Sequence, residues 1–320
     1  MDYLQKEPID VSVIMTTYGH ELFIIDAIKG VINQDFVGHV ELIISNDNSP
    51  DNTNKVVLEF LENAIIPDNL SVKYYLQESN LGAIENFLWC INESQGKFLA
   101  ICEGDDYWTD TQKLSKQVSF LNKNRDFSIV FSNVNVQIEN GEYNQKNELT
   151  PIDSNKEYNG EEIIESWVAH TSTFVIRNGK HIKDFVGFFR THNFMYGDTP
   201  LFLYALKFGK GFGLTDYTST YRRHAGGLTN QIQNNEFYLK FITHLENIKK
   251  AFNNEEYQKV LNKGIIGFYL RLFFNKKSNY LQKTKFLLKA LKYDKLLIFN
   301  IVKEKLNKEK VSNSLSTNNK

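Results

Sequence analysis

Cysteine is almost missing from this sequence: Cys90 and Cys102 are the only two in 320 residues. Two thiols at that spacing neither build the disulfide framework of a small secreted scaffold nor match a structural metal site, and the simpler reading is a reducing compartment. Long apolar runs are missing as well. No stretch approaches the roughly 18 uninterrupted apolar residues of a bilayer-spanning helix. The first ten residues carry Asp2, Glu7 and Asp10 with no apolar h-region, so no secretory signal is read there. Two nucleotide signatures are also absent: no G-x-G-x-x-G follows the first strand, and no G-x-x-x-x-G-K-[ST] occurs anywhere. Dinucleotide-binding and P-loop folds thereby lose their main support. No internal repeat is found.

A net charge of one sign is nearly lacking too, at −1 overall, but the charges are sorted along the chain. Residues 259–310 hold fourteen Lys and Arg against Asp294, Glu304 and Glu309, a net of +11, while residues 1–258 sum to −13. The composition itself, 42% hydrophobic and 23% charged, excludes a disordered or fibrous chain.

What is present is a regular alternation. Val11–Met15 is an apolar, β-branched run ending in Thr16, Thr17, Tyr18 and Gly19, and Glu21–Asn33 follows as a helix with Leu22, Ile25, Ile28 and Ile32 on one face. Val40–Ser45 repeats the strand, a dense turn cluster from Asn46 to Thr53 leads into a helix over Lys55–Asn63, and Val72–Leu76, Ala83–Glu93 and Lys97–Cys102 continue the series. Strand and helix alternating at this period mean right-handed crossovers and a mostly parallel sheet flanked by helices, with ligands expected beyond the strands' carboxyl ends. Residues 127–138, 171–177 and about 211–223 read as further strands, with a looped stretch at 139–158. The chain turns helical from Asn234, and a disordered tail is expected from Val311.

The residues that carry chemistry sit at those strand ends. Glu103, Gly104, Asp105 and Asp106 follow the fourth strand directly. Adjacent carboxylates repel unless a cation or donor lies between them, so the sequence offers either a metal-diphosphate site or a solvated acidic turn. Thr16, Tyr18, Asp47 and the acidic pair should converge on one crevice that suits a nucleotide, with its base stacked on Tyr18, a base N–H given to Asp47 and the diphosphate on a cation.

Taken together, Val11–Tyr18, Gln34, the run Asn46-Asp47-Asn48-Ser49-Pro50-Asp51-Asn52-Thr53, Asn80–Gly82 and the strand leading to Asp105-Asp106 resemble the family 2 glycosyltransferases of the GT-A fold. Asn46 departs from the family's D-D-x-S-x-D-x-T pattern. Gly197-Asp198 and Tyr221–His224 resemble the end of the catalytic domain in a bacterial surface-polysaccharide branch, and the likeness spans about residues 8–230. The resemblance implies an α/β GT-A nucleotide-diphospho-sugar transferase fold at 1–230 with a basic helical extension at 231–310. It implies an inverting hexosyltransferase that moves a sugar from a UDP-sugar to a glycan or lipid-linked glycan acceptor in capsule, lipopolysaccharide or related synthesis. It places Thr16, Tyr18, Glu21, Asp47, Asn80 and Asp105 on the nucleotide-sugar, Asp106 and His224 on a divalent cation (Mn²⁺ or Mg²⁺), Asp198 as the base, and Trp167 and His170 on the acceptor side. From position alone, Asp198 could equally be an N-cap for a helix over Pro200–Phe208, and Trp167 a core residue. A nucleotide-sugar-binding protein without catalysis and a nucleotidyltransferase remain the competing readings.

In the basic third, apolar residues recur at helical spacing: Ile265, Phe268, Tyr269 and Leu272, then Leu281, Phe286, Leu287 and Ala290. Such a segment either packs on the catalytic domain with its lysines in water or lies on the anionic inner face of the cell membrane. No nucleic-acid reading motif is present. The expected location is cytoplasmic, with peripheral membrane contact as the further possibility.

Overall fold

The computed structural model describes residues 8–138, 149–227, 234–294 and 296. The chain divides into two compact units, Met1–Gln231 and Ile232–Lys320. In the first, β1 (Val11–Thr17), β2 (Val40–Asn46), β3 (Leu70–Leu76) and β4 (Phe98–Ile101) lie parallel in the order β3-β2-β1-β4. β1 and β2 are buried nearly throughout, as their unbroken apolar runs require when helices cover both faces. Their registers run flush, Val11 opposite Val40 and Thr17 opposite Asn46, so the two carboxyl ends stop at one level. β4 ends earlier, with Ile101 opposite Ile14, and the chain climbs on beside β1 as Cys102 N donates to Ile14 O (3.1 Å) and Gly104 N to Thr16 O (2.9 Å).

The crossover helices are α1 (Ile24–Ile32), α2 (Thr53–Asn63) and α3 (Ala83–Glu93). α1 begins later than its apolar spacing predicts and buries Ile24, Ala27, Ile28 and Val31, leaving Leu22 exposed. The cause is local: His20 O accepts from both Phe23 N and Ile24 N, so residues 20–23 form a turn before the helix.

Beyond β4 the sheet becomes mixed. β5 (Tyr107–Trp108), β6 (Phe127–Ile138), β7 (Lys156–Tyr158), β8 (Val175–Arg177) and β9 (Lys210–Arg223) extend it in the order β4-β8-β6-β9-β5, with β7 on β9. β8 runs antiparallel to β4 and β6, whereas β6 and β9 run parallel. The expected strand at 171–177 is realised only in its second half. Thr171–Thr173 is a 3-10 turn, because His170 and Thr173 satisfy local backbone groups: Thr173 Oγ1 donates to His170 O (2.7 Å) and Ser172 N to His170 Nδ1 (3.3 Å). Part of the expected loop is ordered as β7, and α5 (Gly160–Glu165) follows it. Helices α4 (Lys113–Lys123), α6 (Lys180–His192) and α7 (Asp198–Ala205) complete this unit.

Among the described residues, the second unit holds α8 (Asn235–Phe252), α9 (Glu255–Phe274) and α10 (Tyr280–Ala290) around a core of Ile242, Ile265, Ile266, Tyr269, Leu270, Leu272, Phe286 and Ala290. No described helix is long and apolar enough to cross a membrane. The expectation of a disordered tail falls outside the described residues.

Candidate active site

The loops after β1, β2 and β3 are laced together by the polar side chains of residues 46–53. Ser49 Oγ accepts from Gly19 N (3.0 Å), Thr53 Oγ1 from His20 N (2.9 Å) and Asp51 Oδ2 from Glu21 N (3.0 Å). Asp51 Oδ1 also receives Thr53 N and Thr53 Oγ1. Burial would raise the Asp51 carboxyl, but these bonds hold it below the usual carboxylate range. Asp47 serves the next loop in the same way, accepting Leu81 N on one oxygen (2.6 Å) and Gly82 N on the other (2.9 Å). Asn80 Oδ1 accepts from Gly82 N (2.8 Å), and Gly82, at φ +86°, supplies the left-handed turn into α3. Asn46 has a structural role: its side chain donates to the Tyr74 hydroxyl and accepts from Ser49 N.

On the other side of β1, Gly104 allows the acidic loop to press against the strand end. A Cβ there would stand 2.8 Å from Thr17 Cβ and 2.9 Å from Ile24. The three carboxylates around it diverge. Asp105 Oδ2 lies 3.1 Å from His224 Nε2 and 3.7 Å from His20 Nε2. Burial would raise its carboxyl, but the His224 hydrogen bond and the two imidazoles hold it low. Asp106 Oδ1 accepts from Arg222 N (2.9 Å), and its Oδ2 stands 3.7 Å from His170 Nδ1. Burial, with Asp105 and Glu103 nearby, pushes the Asp106 carboxyl well up. Glu103 is half-buried facing Thr171, with its Oε2 buried and unpartnered, and desolvation pushes its pKa up to about 7.

Asp198 arrives from the far end of the sequence as the first residue of α7. Gly197, not Asp198, holds the N-cap position, and Asp198 is already inside the first turn. Burial raises the Asp198 carboxyl against the pull of the Thr199 amide.

These groups face one cavity of about 450 Å³ at the carboxyl ends of β1, β2 and β4. Of the residues expected from the sequence, Thr16, Tyr18, Asp47, Asn80, Asp105, Asp106, Trp167, His170 and Asp198 line it. Glu21 and His224 are not among the lining residues: the Glu21 carboxylate accepts Asn52 N (2.9 Å) and helps to clasp the loops, and His224 stands behind Asp105. Asp106 and His224, both expected on a cation, do not stand together: Asp106 faces Arg222 N and His170, and His224 faces Asp105. Asp105 takes the place expected of Asp106, and His20 joins it, so that three ligand atoms of His20, Asp105 and His224 lie within 4.8 Å of one another. His20, Thr171 and Tyr196 also line the cavity, and nothing in their local sequence marks them; Glu103, the first residue of the acidic run after β4, lines it too. Phe87 lines the cavity as well. Arg222 is held in place by an ion pair with Asp26, lying over the Tyr107 ring at 4.3 Å.

The arrangement provides an exposed aromatic face (Tyr18, 48% exposed), a cluster of donors suited to a divalent cation, and the half-buried Asp198 carboxyl lining the same cavity. The family profile of glycosyl transferase family 2 matches residues 12–185, more than half of the chain. The chain belongs to that family. Among curated relatives of this family 2 member, an uncharacterised protein of Mycobacterium tuberculosis is 30% identical over 218 residues, 68% of this chain and 60% of that protein. The chain thus spans about 60% of the length of this relative. The UDP-Glc:alpha-D-GlcNAc-diphosphoundecaprenol beta-1,3-glucosyltransferase of Escherichia coli is 32% identical over 126 residues, 39% of this chain and 46% of that protein. Among solved structures, Staphylococcus aureus TarS 1-349 in complex with UDP-GlcNAc superposes with TM-score 0.61 at 16% identity, over 89% of this chain and 81% of that one. At that identity the likeness establishes the GT-A-like fold of this family 2 chain, with its C-terminal helices, and nothing finer.

Proposed function

We propose that this chain is an inverting glycosyltransferase that moves a sugar from a UDP-sugar to a hydroxyl of a glycan or lipid-linked glycan, as in bacterial surface-polysaccharide synthesis, with residues 1 to about 230 as the catalytic part. The observation that carries this reading is that Asp47, the adjacent Asp105 and Asp106, and Asp198, three places far apart in sequence, line one cavity at the strand ends. The names of the relatives support the donor and acceptor classes: the Escherichia coli enzyme is described as using UDP-Glc and a diphosphoundecaprenol-linked sugar, and TarS is seen with UDP-GlcNAc.

Tyr18 offers its ring to the uracil, with Thr16, Asp47 and Asn80 beside it. His20, Asp105 and His224 fit a divalent cation. Burial lowers the His20 pKa and leaves its lone pair free, Asp105 is ionised, and two imidazoles with one carboxylate suit Mn²⁺ better than Mg²⁺. A cation held there supplies positive charge against the diphosphate. Asp198 accepts the proton of the acceptor hydroxyl as its oxygen bonds to the anomeric carbon, and the bond from that carbon to the phosphate oxygen breaks, with the electron pair leaving on UDP. A base whose carboxyl is raised by burial is better matched to this task than an ordinary aspartate. Trp167 and His170 line the acceptor side. Burial lowers the His170 pKa to about 4, so it stands neutral beside Asp106.

The test is Asp198→Asn, assayed with a panel of UDP-sugars and Mn²⁺. Loss of the base should lower kcat for transfer by about 10²- to 10⁴-fold, with UDP affinity within a few-fold of the parent. Transfer at the parental rate would overturn the assignment.

A further inference from the structure

Among the described residues of the second unit, an apolar surface stands exposed. α10 is apolar on two sides. On one, Phe286 and Ala290, with Leu287 and Leu291 beside them, close the core against α8 and α9. On the other, Leu281 is 79% exposed and Leu288 is 58% exposed, and their seven-residue spacing puts both on one face of the helix. Tyr280, 87% exposed, stands at the same end. Lys285 falls between the two leucines, and Lys292 lies one turn beyond Leu288, just past the helix end; both are exposed.

The sequence around this stripe is strongly basic, with Asp294 beyond its end. From residue 257 to residue 293 the sequence holds nine Lys and Arg and no Asp or Glu, and Lys276 and Lys277, in the loop before α10, are exposed too. A helix that only closes a core needs one apolar side. A second one, shallow and set among exposed lysines, matches the layered chemistry of an anionic bilayer surface, where phosphates lie outside and acyl chains just beneath. We propose that the Tyr280–Lys292 face docks the protein on an anionic phospholipid surface, with Leu281 and Leu288 entering the headgroup–acyl boundary and Lys285 and Lys292 meeting the phosphates. This stands apart from the transfer chemistry proposed above.

The test uses the full chain and co-sedimentation with vesicles of phosphatidylcholine alone or with phosphatidylglycerol added. Binding is expected on the anionic vesicles only, and it should weaken with salt. Each lysine near such a surface multiplies affinity about five-fold, so Lys285→Glu with Lys292→Glu should weaken binding by at least ~25-fold. Leu281→Asn with Leu288→Asn should weaken it by about ten-fold or more. Because all four side chains are exposed, the melting temperature and the hydrolysis of UDP-sugar in solution should stay at parental values. The proposal fails if anionic vesicles do not sediment the protein or if the leucine variant binds as well as the parent. It fails equally if the chain shifts duplex DNA but not vesicles, or sediments as a dimer that the leucine variant dissolves.

Discussion

Beneath the site lies a buried lysine whose charge state can be tested by stability alone. Lys113, the first residue of α4, is fully buried. Its Nζ donates to Gln117 Oε1 (2.6 Å) and Thr173 O (3.3 Å) and lies 4.5 Å from the Trp108 ring centroid. Burial pushes its pKa from 10.5 down to about 7, against weaker upward pulls from Cys102 and Asp110. Between those two values the unfolded chain binds one proton that the folded protein does not, so stability rises with pH across that window, by about 1.4 kcal/mol per pH unit.

Lys113→Met removes the titration and keeps most of the volume. It forfeits two hydrogen bonds, about 2 kcal/mol, while Gln117 Nε2 still donates to Thr173 O (2.9 Å). Near pH 8 the parent carries a deprotonation penalty of about 3 kcal/mol, and the variant should be as stable as the parent or slightly more so. Near pH 10 the penalty has fallen below about 1 kcal/mol, and the variant should be the less stable. Urea unfolding at the two pH values, followed by tryptophan fluorescence, measures the change of about 2–3 kcal/mol between them. All three tryptophans, Trp89, Trp108 and Trp167, precede residue 231, so the signal reports the first unit. Parallel pH profiles for parent and variant would show that Lys113 keeps an ordinary pKa and would refute the reasoning.

Three further outcomes are expected. Tyr18→Ala removes the stacking face, worth about 1–3 kcal/mol per base, and should weaken UDP binding by at least about five-fold in calorimetry with no change in melting; unaltered affinity would exclude a stacked base. His224→Ala removes one of three candidate ligands, so the rise in melting temperature that Mn²⁺ should give the parent should vanish, and an undiminished rise would place the cation elsewhere. Asp51→Ala deprives Glu21 N, Thr53 N and Thr53 Oγ1 of their acceptor and should lower both melting temperature and donor affinity, although Asp51 does not line the cavity; lowered stability with parental affinity would separate the clasp from the site.

Much of this architecture was legible because the governing signals are periodic and local. Unbroken β-branched runs such as those of β1 and β2 fit only strands covered on both faces, and their alternation with amphipathic helices placed the ligand crevice at the carboxyl ends. The points that escaped depend on geometry that periodicity does not encode. Whether Asp105 or Asp106 turns toward His224 is set by the backbone path after Gly104, not by residue type. His20 joins Asp105 across 85 positions, and no local pattern announces such a meeting. The 3-10 turn at Thr171–Thr173 arose from side chains competing for backbone groups, which the apolar content of the segment conceals.

The run from Asn46 to Thr53 shows why motif and mechanism are not read residue for residue. Taken as ligands, Asp47, Ser49, Asp51 and Thr53 would all point to the nucleotide. In the structure Ser49, Asp51 and Thr53 instead accept the amides of Gly19, His20 and Glu21, and Asp47 takes those of Leu81 and Gly82. The spacing suits a turn that must present acceptors to two neighbouring loops at once, and a loop fixed in advance loses less freedom when a ligand arrives. Tyr18 and His20 are held by this lacing from either side. The polar run after β2 therefore acts on the stacking face and the cation cluster chiefly by fixing the loop that carries both.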